Sequence, residues 1–456
     1  MKKYIINAII LMTIIWFNSC EDFLNLSPVS EMATSSFYKN DSEVEGGVVA
    51  IYDGIQKVVL VEWAMAEMRS DNTHTRANRS EGEWMEFETM NVSTINGTVS
   101  DYWIDNYNVI FRANTVLANL GNVSNATLKS QFEGEAKFAR ALSHFNLVLA
   151  FGDVPIIDKI INYNDKEYFN RDPVNEVYSL IESDLLTAID NLPGRSGIAE
   201  GRATKGAARA ILAKAYLTMK EYSKAKTLLD QLVSDPDYSL MPNYYDVFYQ
   251  ELNDEIVFGV QFIPKDSEDS QKFTYQFTNS GLNYPTNDLM DQVDTTDLRR
   301  PTLFFFSITA GTEGDWECGK YQYKDPMDIG SNQGNDWIII RYADVLLMHA
   351  EAILGDASST TDAAALESFN KVRTRAGMAE VSTLTKDLLL TERRIELCCE
   401  NQRLYDLVRF GVAETVLAAF SQKPEPGFIF ESTDLLLPIP RREINIYPEL
   451  KQNPGY

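Results

Sequence analysis

The chain has 456 residues, 45% hydrophobic and 11% aromatic, enough apolar material for a large buried core, which excludes an intrinsically disordered chain. Its 41 Lys and Arg against 66 Asp and Glu give a formal charge of -25. A field of that sign repels phosphate backbones and anionic lipid heads, and so excludes nucleic acid and purely electrostatic membrane docking.

Lys2 and Lys3 precede an apolar stretch from Ile5 to Phe17, interrupted by Asn7 and Thr13. This is the build of a secretory leader, and it is short of the roughly 20 apolar residues that cross a bilayer. The bulky Phe17 stands three before Cys20, where an ordinary cleavage site wants a small residue. The stretch therefore reads as a lipoprotein leader, residues 1–19, cut before Cys20, whose thiol and new amino group are acylated. Residues 20–40 then form the lipidated tether, and 41–456 a single domain. An ordinary leader with Cys20 as a spare thiol is the alternative. At about 0.8 kcal/mol per buried methylene, two or three acyl chains hold a protein on a membrane almost irreversibly.

Beyond the tether, helical periodicity dominates. Val44, Val48, Ile51, Tyr52, Ile55 and Val59 predict a helix over 42–60, and Trp103, Tyr107, Ile110, Asn114 and Leu117 a second, with Trp103 in the core. A third spans 127–151 and stops at Gly152, with Pro155 beyond; a fourth starts at Asp172 as N-cap with Pro173 in its first turn. Residues 204–234 read as a helix pair capped by Thr204, with small residues where two short helices interlock, a tetratricopeptide-like spacing. A similar pair is expected at 338–354 and 362–376, with Trp337 capping the first, and a further helix at 385–410. The fold class is thus mainly α, a stack of helix pairs. Segments 61–100 and 236–337 break the pattern: they are rich in Asn, Asp, Gly and Thr and crowded with aromatics, with one strand expected over Glu255–Phe262. Irregular segments of such length are usually functional.

Catalytic signatures are lacking. There is no G-x-S-x-G and no H-E-x-x-H, and His74, His144 and His349 lie far apart, the last two inside helical patterns as packing residues. Gly314 to Tyr321 mimics a phosphate loop, but Tyr321 replaces the magnesium-binding hydroxyl, and Asp315 and Glu317 put negative charge where phosphate would sit. Cys318, Cys398 and Cys399 form neither a disulfide framework nor a metal spacing, the last two reading as small helix residues, so no cofactor or metal is expected. Glu396, Glu400, Arg403 and Asp406 are spaced for ion pairs along one helix. A surface-anchored glycoside hydrolase needs only two carboxylates, which 66 acids do not exclude. What stands out is aromatic surface: Trp63, Trp84 and Phe87 in the first irregular segment, and Tyr275, Tyr284, Trp316, Tyr321 and Tyr323 in the second. Flat rings with polar neighbours suit sugar rings. The candidate ligand contacts are Asp71, Arg76, Trp84, Tyr284 and Trp316, with Asn78 and Asn283 nearby.

Six blocks together resemble the SusD/RagB family of outer-membrane nutrient-binding lipoproteins. They are CEDFLNLSP at Cys20, GEAKFARALSHFNLVLAFGDVP at 134–155, GRATKGAARAILAKAYLTM at 201–219, IIIRYADVLLMHAEA at 338–352, ERRIELCCENQRLYDLVRFG at 392–411, and LLPIPRREINIYPELKQNPGY at 436–456. The resemblance implies four tetratricopeptide-like helix pairs with a loop-rich ligand face, and an anchor through Cys20 in the outer leaflet of a Gram-negative outer membrane, with Glu21 and Asp22 as a surface-export signal. It further implies a SusC-like TonB-dependent transporter as partner, to which captured oligosaccharides are delivered. Some relatives look specialised for peptides instead, so a peptide-binding lid of the same fold is a further alternative. Arg341, Tyr342, Asp344, Glu392 and Arg403 fall in the matched blocks and belong to the scaffold on this reading.

Overall fold

The computed structural model describes residues 37–75, 82–266, 269–278, 281–308, 314–322, 333–423 and 428–456. The leader, Cys20 and the first part of the tether lie outside the described residues, as do Arg76, Asn78 and Tyr323. No helix among the described residues is long and apolar enough to cross a membrane.

Eight helices make the scaffold: α1 (Asp41–Ala66), α2 (Gly97–Asn119), α3 (Ala126–Phe151), α4 (Val174–Asn191), α5 (Lys205–Thr218), α6 (Tyr222–Val233), α7 (Tyr342–Leu354) and α8 (Ala363–Arg375). Each packs against the next in chain order, which gives four pairs in a linear stack. Local chemistry sets their ends. Asn40, Asn96, Asn125, Thr204 and Asp362 each accept first-turn backbone N–H groups that would otherwise go unpaired. α3 ends at Gly152, whose φ of 73° suits a residue without a Cβ. In α5, Ala207, Ala208, Ala210, Ala213 and Ala215 are all buried, so neighbouring helices approach closely.

Two connections swell into a lobe: residues 67–96, inside the first pair, and 234–341, between the third and fourth pairs. The lobe carries short antiparallel strand pairs: β1 (Thr73–His74) with β3 (Tyr284–Pro285), β2 (Ile256–Val260) with β6 (Trp337–Arg341), and β4 (Phe304–Ser307) with β5 (Asp315–Cys318). β3 also lies beside β5. After α8 follow α9 (Lys386–Glu396) and α10 (Arg403–Arg409). One continuous apolar cluster runs through scaffold and lobe alike.

Four expectations are corrected. α1 runs on to Ala66, so Trp63 is a core residue, 1% exposed, rather than part of an irregular surface. Asp172 does not cap α4: its carboxylate accepts the N–H of Ile156 at 2.7 Å, and Asp153 accepts that of Val174 at 3.0 Å. The helix expected from 338 starts only at Tyr342; before it, β6 pairs with β2, and Trp337 stacks on Tyr321 (5.4 Å, 21°) instead of capping. Finally, the helix expected over 385–410 is broken. Cys399 (φ 65°) and Asn401 (φ 57°) take left-handed conformations, so Cys398 and Cys399 sit in a buried turn. The backbone N–H of Cys399 donates to Glu67 (2.8 Å), and Asn401 accepts that of Ala66 (2.7 Å), which anchors the turn to the end of α1.

Candidate ligand-binding face

The β4–β5 hairpin presents an open aromatic surface. Register places Phe306 opposite Trp316, and paired residues on a ladder share a face. Their rings meet edge to face at 5.2 Å, and they are 46% and 39% exposed. Gly314, at φ 77°, passes beneath the Phe306 ring, where a Cβ would come within 2.8 Å of it. On the same face, Phe304 and Cys318 are buried and tie the hairpin to the core, while Phe305 on the opposite face is exposed. Trp84 opens the one-turn helix Trp84–Glu88, half-buried, with its ring stacked on Trp63 (4.9 Å, 23°). Tyr275, on the one-turn helix Phe273–Gln276, is also exposed.

The other candidates are elsewhere. Tyr284 is wholly buried, its hydroxyl donating to the carbonyl of Gly281 at 2.9 Å, because β3 is covered by β1 on one side and β5 on the other. Asp71 is buried too, its carboxylate gripped by Arg403 (2.7 and 2.9 Å) and Arg394 (3.1 Å). Burial raises the Asp71 carboxyl, but the two guanidiniums outweigh that and hold it below the usual range. Both side chains are therefore withdrawn from a solvent-borne ligand. Phe87, Tyr321 and Asn283 are likewise buried. Sequence reasoning missed Phe305 and Phe306, because a run of three phenylalanines reads as core and only the hairpin register turns two of them outward.

The lobe also holds a hub of buried charges. Arg341 bonds Glu255 (2.7 Å), Glu396 (2.6 Å) and Glu400 (2.7 Å), while Arg299 bonds Asp297 (2.7 Å), Glu392 (2.6 Å) and Glu396 (2.8 Å). Lys320, just past β5, reaches Glu400 (2.6 Å) and the carbonyls of Glu396 and Cys398. Arg393 joins Asp344 and Asp406 in the same way. Burial raises the Glu396 carboxyl, yet Arg375, Arg341 and Arg299 hold it well below the ordinary range. The charges of 392–411 thus pair across elements rather than along one helix, apart from Arg409 with Asp406. Carboxylates paired in this way act as bolts between lobe and scaffold. Among the described residues no cluster of His, Cys, Asp and Glu fits a metal ion.

Two family profiles match the chain. That of the SusD family covers residues 237–456, and one described as starch-binding and associating with the outer membrane covers 22–217. The chain belongs to the SusD/RagB family. A SusD-like protein of Bacteroides ovatus is 28% identical over 98% of this chain and 97% of its own length. SusD-like protein P2 of Formosa agariphila is 25% identical over the whole of both chains. Among solved structures, a laminarin-binding SusD-like protein superposes with a TM-score of 0.77 at 27% identity, over 92% of this chain and all of its own. A SusD homologue from Bacteroides thetaiotaomicron reaches 0.81 at 20% identity, over 93% of this chain and 98% of its own, a likeness of fold. The SusD-type α-helical superhelix is therefore the fold of this chain.

Proposed function

We propose that this SusD-family chain is a non-catalytic, cell-surface glycan-binding lipoprotein that captures oligosaccharides and passes them to a SusC-like TonB-dependent transporter. The observation that carries the reading is the solvent-facing ring pair Phe306 and Trp316, whose rings pack edge to face on one side of the hairpin. Rigid rings stack on the apolar face of a pyranose with little loss of side-chain freedom. Trp84 and Tyr275 are further candidate ring contacts, and Arg76 a candidate donor to sugar hydroxyls. The 27% identical laminarin-binding relative supports a glycan as the ligand class. Anchoring through an acylated Cys20, outward on the outer membrane, rests on the leader and on the outer-membrane association of the matching family.

The test is binding of the mature protein to a panel of polysaccharides and peptides. Trp316→Ala is expected to weaken binding of the retained glycan about tenfold or more, at about 1.4 kcal/mol per decade, without changing the melting curve. Unchanged binding in Trp316→Ala and Trp84→Ala sinks the site; retention of peptides alone sinks the ligand class. Product release from any glycan, abolished by replacing one carboxylate, selects hydrolysis instead. Incorporation of labelled palmitate, lost in Cys20→Ala, tests the anchor.

A further inference from the structure

A second aromatic surface lies outside the hairpin. Tyr245 precedes and Tyr249 ends the one-turn helix Asp246–Tyr249, and that four-residue spacing stacks their rings nearly parallel, 4.1 Å apart at 8°. Tyr249 is fixed from behind: its hydroxyl donates to the carbonyl of Gly319 at 2.6 Å and accepts the N–H of Gln322 at 3.0 Å. Tyr245 is the outer ring, 47% exposed, and its hydroxyl has no hydrogen-bond partner among the described residues. Asn243 accepts the backbone N–H of Tyr245 through its side-chain oxygen, and both Asn243 and Gln250, which directly follows Tyr249, are exposed. A flat, preorganised ring edged by amides is the surface that binds a pyranose, and the fixed inner ring removes the ordering cost that a lone surface tyrosine would meet.

Its place relative to the hairpin gives it meaning. Gly319 follows directly on β5, only three residues beyond Trp316. Three residues of extended chain span at most about 11 Å, so the anchor of the tyrosine stack lies within that distance of the tryptophan backbone. A chain of rings, from half-buried Trp84 through buried Trp63, Phe277 and Tyr321 to Phe248, also joins the Trp84 end of the lobe to the tyrosine helix.

We infer that the Tyr245–Tyr249 stack is a second saccharide subsite, so that the ligand is a linear glycan long enough to lie across both it and the Trp316 surface. The inference rests on the proposed glycan-binding function and assigns it a chain-length preference. The experiment is calorimetric titration of the mature chain with laminarin oligosaccharides of graded length. Tyr245→Ala is expected to weaken the longest oligosaccharides about tenfold and leave the shortest unchanged, whereas Trp316→Ala weakens all of them. Tyr245→Phe, which keeps the ring, retains wild-type affinity, and thermal melts of the variants match. Equal affinity of wild type and Tyr245→Ala for every length, with Trp316→Ala still impaired, overturns the second subsite alone. A Tyr245→Ala loss of equal size at every length overturns it as well, because one subsite then serves all. Wild-type failure to bind any oligosaccharide of the series overturns the length preference together with the glycan-binding function on which it rests.

Discussion

The scaffold and the lobe solve the same problem by different means. In the scaffold, apolar stripes face the next helix, side-chain caps close the N-termini, and most contacts join neighbours in sequence. In the lobe, short strands would not hold on their own, and order comes from ion pairs and hydrogen bonds to residues far away in the chain, such as Asp71 to Arg403 and Arg299 to Glu396. The difference teaches how a long irregular segment stays ordered: its inner side is bolted to α9, α10 and the turn between them, so its outer side is free to be chosen for a ligand.

Breaking the hub should cost most. Arg341→Met leaves Glu255, Glu396 and Glu400 buried without that guanidinium, for an expected loss of roughly 3–5 kcal/mol. Denaturant titration checks it, with proteolysis mapping the first cuts to the lobe; a loss under about 1 kcal/mol would show that the bolts are not what holds the lobe.

Next comes a pH test where α1 meets the turn. Burial raises the Glu62 carboxyl to about 7, from an ordinary value near 4.5. A raised folded-state value means stability that is fully present below about pH 4.5 and lost as pH rises through 7. Burial lowers His144, in α3, to about 4 from 6.5, which gives stability present above pH 6.5 and lost as pH falls toward 4. Between pH 4.5 and 6.5 the two slopes oppose each other. Glu62→Gln removes one of them, so its stability relative to wild type should rise by about 3 kcal/mol from pH 4.5 to 8, at 1.36 kcal/mol per pKa unit. Denaturation midpoints across that range decide it, and parallel profiles for the two proteins would contradict the assignment.

Within the scaffold, Thr204→Ala removes the cap of α5, where the hydroxyl accepts the N–H of Ala207 at 3.0 Å, and is expected to cost about 1 kcal/mol. Smallest of all is the stability effect of Trp316→Ala: within about 0.5 kcal/mol, as for surface positions free of structural duties, even while binding falls. A large loss on melting would move Trp316 from the ligand face to the frame and erase the contrast between the two regions.

Much of the frame is legible in the chain. The stripes at Val44 to Val59 and Trp103 to Leu117, the cap at Thr204 and the stop at Gly152 all appear where periodicity and capping chemistry put them. The misses share one cause. Residues 397–402 contain neither Gly nor Pro, and the helix breaks there because Glu67 and Asn401 bind across to and from α1. The run from Trp337 to Arg341 is a strand because β2 lies alongside it. Of the candidate contacts, Trp84 and Trp316 reach the surface, while Asp71 and Tyr284 are taken up by partners hundreds of residues away in the chain.

By itself, then, the amino-acid order determined the scaffold helices and those of their ends that are set locally, such as the Thr204 cap and the Gly152 stop, because each depends on groups within a few residues of one another. Which rings point outward, which carboxylates are neutralised and where the last long helix breaks were decided only in the folded molecule. Burial and ion pairing are properties of position in three dimensions, and an aromatic or acidic residue looks the same in the chain whether a partner waits for it or not.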